Sequence, residues 1–214
     1  MSNPVYTIGH SSREWPEFLE LLRDYGITAV CDVRSHPYSR FVPRFDREAV
    51  RDSLKAGGIA YIYLGKELGG RPEDGEVRYE RVIHSDNFRR GIARLLKGRE
   101  THRLALMCAE KDPLGDENKP LEVCHRMRLI SRQLNERGIE VRHILGKDKC
   151  ETEGQTLERW CENLGMSPDL IHSTKKEMFR EARSAWEREI ARKTKPETAR
   201  HAGARSKPVY GSAQ

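Results

Sequence analysis

V-Y-T-I-G-H-S-S-R-E-W-P-E-F-L-E-L-L-R-D-Y-G-I-T-A-V-C-D-V-R, residues 5–34, is the stretch whose reading decides the fold. Val5-Tyr6-Thr7-Ile8 is β-branched and aromatic and runs into Gly9-His10-Ser11-Ser12, the pattern of a central strand ending at a tight turn. Trp15, Phe18, Leu19 and Leu22 then fall at i, i+3, i+4 and i+7, the apolar stripe of an amphipathic helix. Ser11 or Ser12 offers a cap for it, and Gly26 suits the position just past its end. Ile27-Thr28-Ala29-Val30-Cys31 is a second apolar strand, closed by Asp32-Val33-Arg34. Strand, helix and strand in so short a span form a βαβ unit, which requires parallel pairing and a crossover connection.

Working outward, the alternation continues. Asp46 caps a short helix carrying Ala49, Val50 and Leu54 and closed by Gly57-Gly58, and Ile59 to Leu64 is a third strand leading into Leu68-Gly69-Gly70. Helical patterning resumes near Tyr79, and Ser85 caps a second piece with Phe88, Ile92, Leu95 and Leu96. Leu104-Ala105-Leu106-Met107 is a fourth strand, Val123, Met127, Ile130 and Leu134 mark a helix, and Val141 to Leu145 is a fifth strand. The fold class is therefore α/β: three layers, a mostly parallel sheet of about five strands with helices on both faces, over residues 1–147. Past Gly146 the pattern becomes a helical extension, 148–194. It contains a stripe of Leu157, Trp160, Cys161 and Leu164, a short helix opening at Ser167-Pro168, and a Thr174-Lys175-Lys176-Glu177 capping box. Phe179, Ala182, Trp186 and Ile190 share one face of the last helix, and the basic, aperiodic segment 195–214 reads as disordered.

Charge is placed unevenly. The net +6 lies entirely in residues 174–214, which hold eleven Lys/Arg against five Asp/Glu; the rest of the chain is balanced. No run of apolar residues is long enough to span a membrane, and the first ten residues lack the basic and apolar regions of a signal peptide. Five cysteines at irregular spacing, 31, 108, 124, 150 and 161, do not read as a disulfide framework. The expectation is a reduced, cytoplasmic protein with no membrane partner.

Reactive residues cluster where strands end. They are His10 and Ser11 after the first, Asp32 and Arg34 after the second, and Cys108 and Glu110 after the fourth. Ser39 lies in the proline-containing loop S-H-P-Y-S-R-F-V-P-R-F, and Cys124-His125-Arg126 opens the helix that follows the fourth strand. In a parallel sheet all these loops lie on one rim, where α/β folds bind their ligands. Taken together, T-I-G-H-S at 7–11, D-V-R at 32–34 with Pro37 and Ser39, L-G-G at 68–70, C-A-E at 108–110 and C-H-R at 124–126 resemble the prokaryotic domain-of-unknown-function family 488 over residues 5–145. The resemblance implies a compact α/β fold with a shared site, and no reaction. The segment Gly115-Asp116-Glu117-Asn118-Lys119 looks like an insertion relative to that pattern.

The candidate catalytic residues are Cys108, Glu110, His125 and Asp32. His10, Ser11, Arg34, Ser39 and Arg126 are candidates for substrate binding. Cys108 suits a nucleophile whose thiolate is favoured by His125, Arg126 and a helix N-terminus, and Glu110 or Asp32 suits a general acid or base. A zinc site from Cys108, Cys124, His125 and Glu110 or His10 is set aside, because adjacent helical residues such as Cys124 and His125 diverge. No metal and no particular cofactor is read. Guanidinium groups point to an anionic substrate, with a nucleotide or nucleic-acid component the leading reading. No phosphate-binding G-x-x-x-x-G-K-[ST] loop or dinucleotide G-x-G-x-x-G turn is present. The reading is thus a hydrolase or transferase. One alternative is thiol chemistry of the rhodanese or phosphatase kind. Another is a non-catalytic nucleic-acid-binding module using the basic C-terminal region.

Overall fold

The computed structural model describes residues 3–70, 79–115, 123–166 and 175–193. Five parallel strands, β1 (Val5–Gly9), β2 (Ala29–Asp32), β3 (Ala60–Tyr63), β4 (Leu104–Cys108) and β5 (Val141–Gly146), are joined by an antiparallel sixth, β6 (Lys149–Thr152). The sheet order is β3-β2-β4-β1-β5-β6. α1 (Trp15–Asp24) and α2 (Arg47–Ala56) cover one face; α4 (Tyr79–His84), α5 (Asp86–Gly98), a π-helical turn (Arg126–Ser131) with α6 (Arg132–Asn135), α7 (Glu153–Asn163) and α8 (Lys175–Lys193) cover the other. A short α3 (Gly65–Leu68) lies between β3 and α4. No helix among the described residues is long and apolar enough to cross a membrane.

The period-2 alternation of a strand divides the core into two layers. On β4, Leu104, Leu106 and Cys108 pack with the α5 and α6 side, whereas Ala105 and Met107 pack with Phe18, Leu22 and Val50 of α1 and α2. This parity sends the Cys108 side chain toward the π-helical turn. Chain order does the rest. The connections leaving β1 and β2 run to the α1 and α2 face, while the connection leaving β4, which lies between them, runs to the opposite face. A crevice therefore opens at the carboxyl end of β4, as at the switch point of doubly wound sheets.

The α/β class, the mostly parallel sheet and the helical C-terminal region are as expected, and the details are refined. The sheet has six strands, and the extension is not purely helical: its first element, β6, forms a hairpin with β5 across the boundary placed at residue 147. The extension also shares the main core, because Trp160, Cys161, Ala182 and Trp186 are buried in the cluster that holds Ile130 and Leu134. Finally, neither Ser11 nor Ser12 caps α1. Its N-cap is Glu14, with no side-chain hydrogen bond, and Ser11 instead adopts a left-handed conformation at φ 48°. The helix at Ser167-Pro168, the cap at Thr174, residues 116–119 of the proposed insertion and the 195–214 tail lie outside the described residues.

Candidate functional site

The turn after β4 is held from both sides. His10 N donates to Cys108 O at 3.0 Å and Ser11 N to Ala109 O at 2.8 Å, which prolongs the β1–β4 ladder past its end. The turn lies so close over β1 that a Cβ on Gly9 would sit 1.7 Å from Glu110 O, so only glycine fits there. From the far side, Arg126 Nη2 donates to Glu110 O at 2.8 Å and Lys111 O at 3.0 Å. These contacts fix where Cys108 and Glu110 point.

Four reactive groups meet there. Cys108 Sγ lies 2.7 Å from Glu110 Oε2, and Cys124 Sγ lies 3.2 Å from the same oxygen and 3.5 Å from Cys108 Sγ. His125 Nδ1 is 3.7 Å from Cys108 Sγ and 3.9 Å from Cys124 Sγ. The divergence expected of adjacent helical residues does not occur, because Cys124 precedes the helix and His125 is its first residue. His125 Nε2 donates to Val33 O at 3.0 Å, which leaves the Nδ1 lone pair facing the sulfurs when the ring is neutral. A Cβ on Gly70 would lie 2.8 Å from this ring, so the L-G-G segment is the flat wall against which the imidazole packs.

The charges of these groups are interdependent. The Cys124 hydrogen bond pulls the Cys108 thiol well below its usual range, against burial and with help from the His125 and Arg126 charges. Burial and the Cys108 thiolate push Cys124 well up. Burial pulls His125 down, but the charge and hydrogen bond of Cys108 outweigh it and raise the imidazole.

A second network stands behind the first. Asp32, fully buried, accepts from Arg34 Nε at 2.9 Å, Arg34 Nη2 at 2.7 Å, Arg34 N at 3.1 Å and Tyr61 Oη at 2.8 Å. Arg34 Nη1 donates to His10 Nε2 at 3.0 Å, so His10 Nδ1 carries the proton and donates to Ser11 O at 2.9 Å. Burial, then the Arg34 charge, lower the His10 pKa to about 4. The ring stacks on Phe45 at 4.4 Å between centroids.

A cleft of about 460 Å³ opens over the thiols, and Cys108, Glu110, His125 and Arg34 of the predicted residues line it, with Cys124 beside them. Asp32 does not reach it, being sealed behind Arg34, and His10 faces Phe45 rather than the cleft. Ser11 and Arg126 act on the β4 turn through hydrogen bonds. Ser39 shapes its own loop: its N–H donates to Asp46 Oδ1 at 2.8 Å, and its Oγ accepts from Phe41 N at 3.2 Å. The residue the sequence reading missed is Arg128, which lines the cleft and has a buried Nη1 with no hydrogen-bond partner among the described residues. Its N–H donates to Cys124 O at 3.1 Å, one helical turn on. The i to i+4 spacing from Cys124 was the available signal. Ser35, His36 and Tyr38 complete the mouth, where Tyr38 is 57% exposed; Phe41, in the same loop, is 78% exposed.

The described part of the loop after Cys108 is no anion cradle. Glu110 stands on the thiol, and Asp112 Oδ1 takes up the Leu114 N–H at 2.8 Å. No curated protein and no solved structure matches this chain. A family model described as "Domain of unknown function DUF488" matches residues 14–132, which is more than half of the chain and includes all the quoted motifs except T-I-G-H-S. The chain belongs to the DUF488 family.

Proposed function

We propose that this protein is a hydrolase or transferase acting on an anionic, nucleotide-bearing substrate, with Glu110 as the group that moves the proton. The observation carrying the reading is the placement of Glu110. Its carboxylate is solvent-accessible at the cleft floor, yet Oε2 sits 2.7 and 3.2 Å from two sulfurs. A general acid or base must reach both the reacting atoms and an activated group, and this position offers both. The anion preference rests on Arg128, which lines the wall and whose buried Nη1 has no hydrogen-bond partner among the described residues, whereas the Arg34 guanidinium is already committed to Asp32 and His10. The nucleotide component rests on the rim. Exposed Tyr38 at the mouth offers a ring on which a base can stack, and exposed Phe41, with the Arg40 guanidinium 4.8 Å from its ring centre, follows in the same loop.

In this reading Cys108, Cys124 and His125 form the floor, Arg34 and Arg128 the walls. Asp32, His10, Ser11 and Arg126 position the floor without touching substrate. The reading places the protein in the cytoplasm, where thiols remain reduced. The test is calorimetric titration with nucleoside monophosphates, using inorganic phosphate and the bare nucleosides as fragments, combined with a product screen. Nucleotides are expected to bind more tightly than either fragment, and Glu110→Gln is expected to bind them without converting them. Nucleotide binding no tighter than phosphate alone would overturn the nucleotide assignment, and full turnover by Glu110→Gln would overturn the role of the carboxylate.

A further inference from the structure

The thiols and imidazole on the cleft floor are arranged as a ligand set. Zinc bound tetrahedrally, with bonds of about 2.3 Å to sulfur and about 2.0–2.1 Å to nitrogen, separates two sulfurs by about 3.8 Å and a sulfur from a nitrogen by about 3.6 Å. Cys108 Sγ and Cys124 Sγ are 3.5 Å apart, and His125 Nδ1 lies 3.7 and 3.9 Å from them, so each edge falls near its ideal length. The three ligand atoms lie within 4.8 Å of one another. The imidazole is also oriented as metal-binding histidines are, with one nitrogen free toward the cluster and the other donating to a backbone carbonyl, here Val33 O at 3.0 Å.

We propose that Cys108, Cys124 and His125 bind a zinc-type divalent ion whose fourth position opens to the cleft beside Glu110. The ion selected is borderline-soft, since two thiolates and one imidazole disfavour magnesium and calcium. Three protein ligands and an open fourth position are the pattern of catalytic rather than structural zinc. Glu110 Oε2 lies 2.7 Å from Cys108 Sγ, too near for two ligands of one tetrahedron, where about 3.5 Å separates sulfur from oxygen. Its place is therefore beside the ion. A water at the open position gives a proton to the Glu110 carboxylate while its oxygen bonds to the electrophilic atom of the substrate. The bond to the leaving group breaks, and the leaving group takes that proton. This last step rests on the reading of the cleft as a reaction site; the ion site itself does not.

The test uses the full-length chain, reduced with a phosphine and freed of metal by chelation. Titration with zinc chloride and elemental analysis after gel filtration are expected to give one ion per chain. Titration with cobalt(II) chloride is expected to give thiolate-to-cobalt charge transfer and intense tetrahedral visible bands. Cys108→Ser, Cys124→Ser and His125→Ala, each checked for folding by circular dichroism, are expected to weaken the ion by more than ~10-fold, the scale of losing even an outer-shell partner. Cys31→Ser and Cys161→Ser are expected to bind as the wild type does. Bound ion is expected to shield Cys108 and Cys124 together from iodoacetamide, and chelation to expose both. Substoichiometric cobalt without thiolate charge transfer, or uptake unchanged in Cys124→Ser, overturns the site. A filled site with no preference for nucleotides would instead leave the ion standing and remove the substrate reading.

Discussion

Two polar clusters lie side by side at the carboxyl edge of the sheet, and they are built on opposite terms. In the Asp32, Arg34, His10 and Tyr61 cluster the hydrogen bonds are short and directional: both Asp32 oxygens are taken, and the guanidinium is forked on a carboxylate. In the Cys108, Cys124, His125 and Glu110 cluster several contacts reach 3.5–3.9 Å, and one wall holds an arginine nitrogen with no hydrogen-bond partner among the described residues. The first is a closed brace and the second an open site. Residue type did not separate them, since each contains a carboxylate, an imidazole and a neighbouring cation. Their neighbouring guanidinium groups did: every nitrogen of Arg34 has a partner, whereas Arg128 Nη1 and Arg126 Nε and Nη1, beside the thiols, have none among the described residues.

The sharpest way to break the comparison is to delete one partner from each cluster. Asp32→Ala leaves the Arg34 guanidinium, almost fully buried, without its counter-charge. Removing one member of a buried pair costs ~3–5 kcal/mol, and that loss of unfolding free energy is expected in urea denaturation. Cys108→Ala removes little volume, and the His125 imidazole it leaves can lose its proton and stay neutral, so no buried charge is stranded and the expected cost is about 1 kcal/mol. Equal losses in the two variants would mean that the clusters do not differ in kind.

A pH titration sharpens the same contrast from the closed side. His10 ordinarily titrates at 6.5 and in the fold at about 4, because burial and Arg34 oppose its protonation. The stability this residue allows is fully present above pH 6.5. As pH falls below 6.5 the unfolded chain takes up a proton that the fold refuses, and the loss is complete near pH 4. Each tenfold weakening of proton binding corresponds to ~1.4 kcal/mol, so the pH-dependent loss amounts to about 3 kcal/mol. His10→Gln keeps an acceptor for Arg34 and removes the titration, so the stability difference between wild type and variant is expected to change by that amount between pH 7 and pH 4. A difference independent of pH would show that His10 is solvated.

Much of this was legible from residues alone, for physical reasons that also set the limit. The order of β1 to β5 followed from apolar runs and turn residues, because local periodicity determines the elements. β6 escaped because Lys149-Cys150-Glu151-Thr152 is a short edge strand with no apolar run. The rim gathering followed from parallel pairing. What could not be read was which rim residues face the cleft. That depends on strand parity, on Gly9 admitting the Glu110 turn, and on Gly70 leaving room for the imidazole, each a contact between segments distant in sequence. The same limit led to the expectation that Cys124 and His125 diverge, where one of them in fact lies just before the helix. Arg126 and Arg128 show it most plainly: the one in the motif braces a turn, and the one outside it faces the cleft.

The smallest expected change in stability belongs to Arg128, and it is the most diagnostic. Its Nη1 is buried with no hydrogen-bond partner among the described residues, burial lowers its pKa, and its guanidinium lies 5.1 Å from the centre of the Trp186 ring. Arg128→Met keeps most of the volume against Trp186 and removes a buried cation one of whose nitrogens has no partner among the described residues. Losing a cation–π contact costs about 0.5–1 kcal/mol, whereas relieving a buried unpaired cation returns energy of similar or larger size. Unfolding free energy is therefore expected to change by less than about 1 kcal/mol, or to rise. Binding is expected to move the other way, since a hydrogen bond to a charged group contributes ~1.5–3 kcal/mol, equivalent to a loss of roughly tenfold or more in affinity for a nucleoside monophosphate. A residue that costs the fold something and gives affinity in return belongs to a functional site. Arg128→Met binding as tightly as the wild type would assign the arginine to the α8 interface and leave the proposed anion site without an anchor.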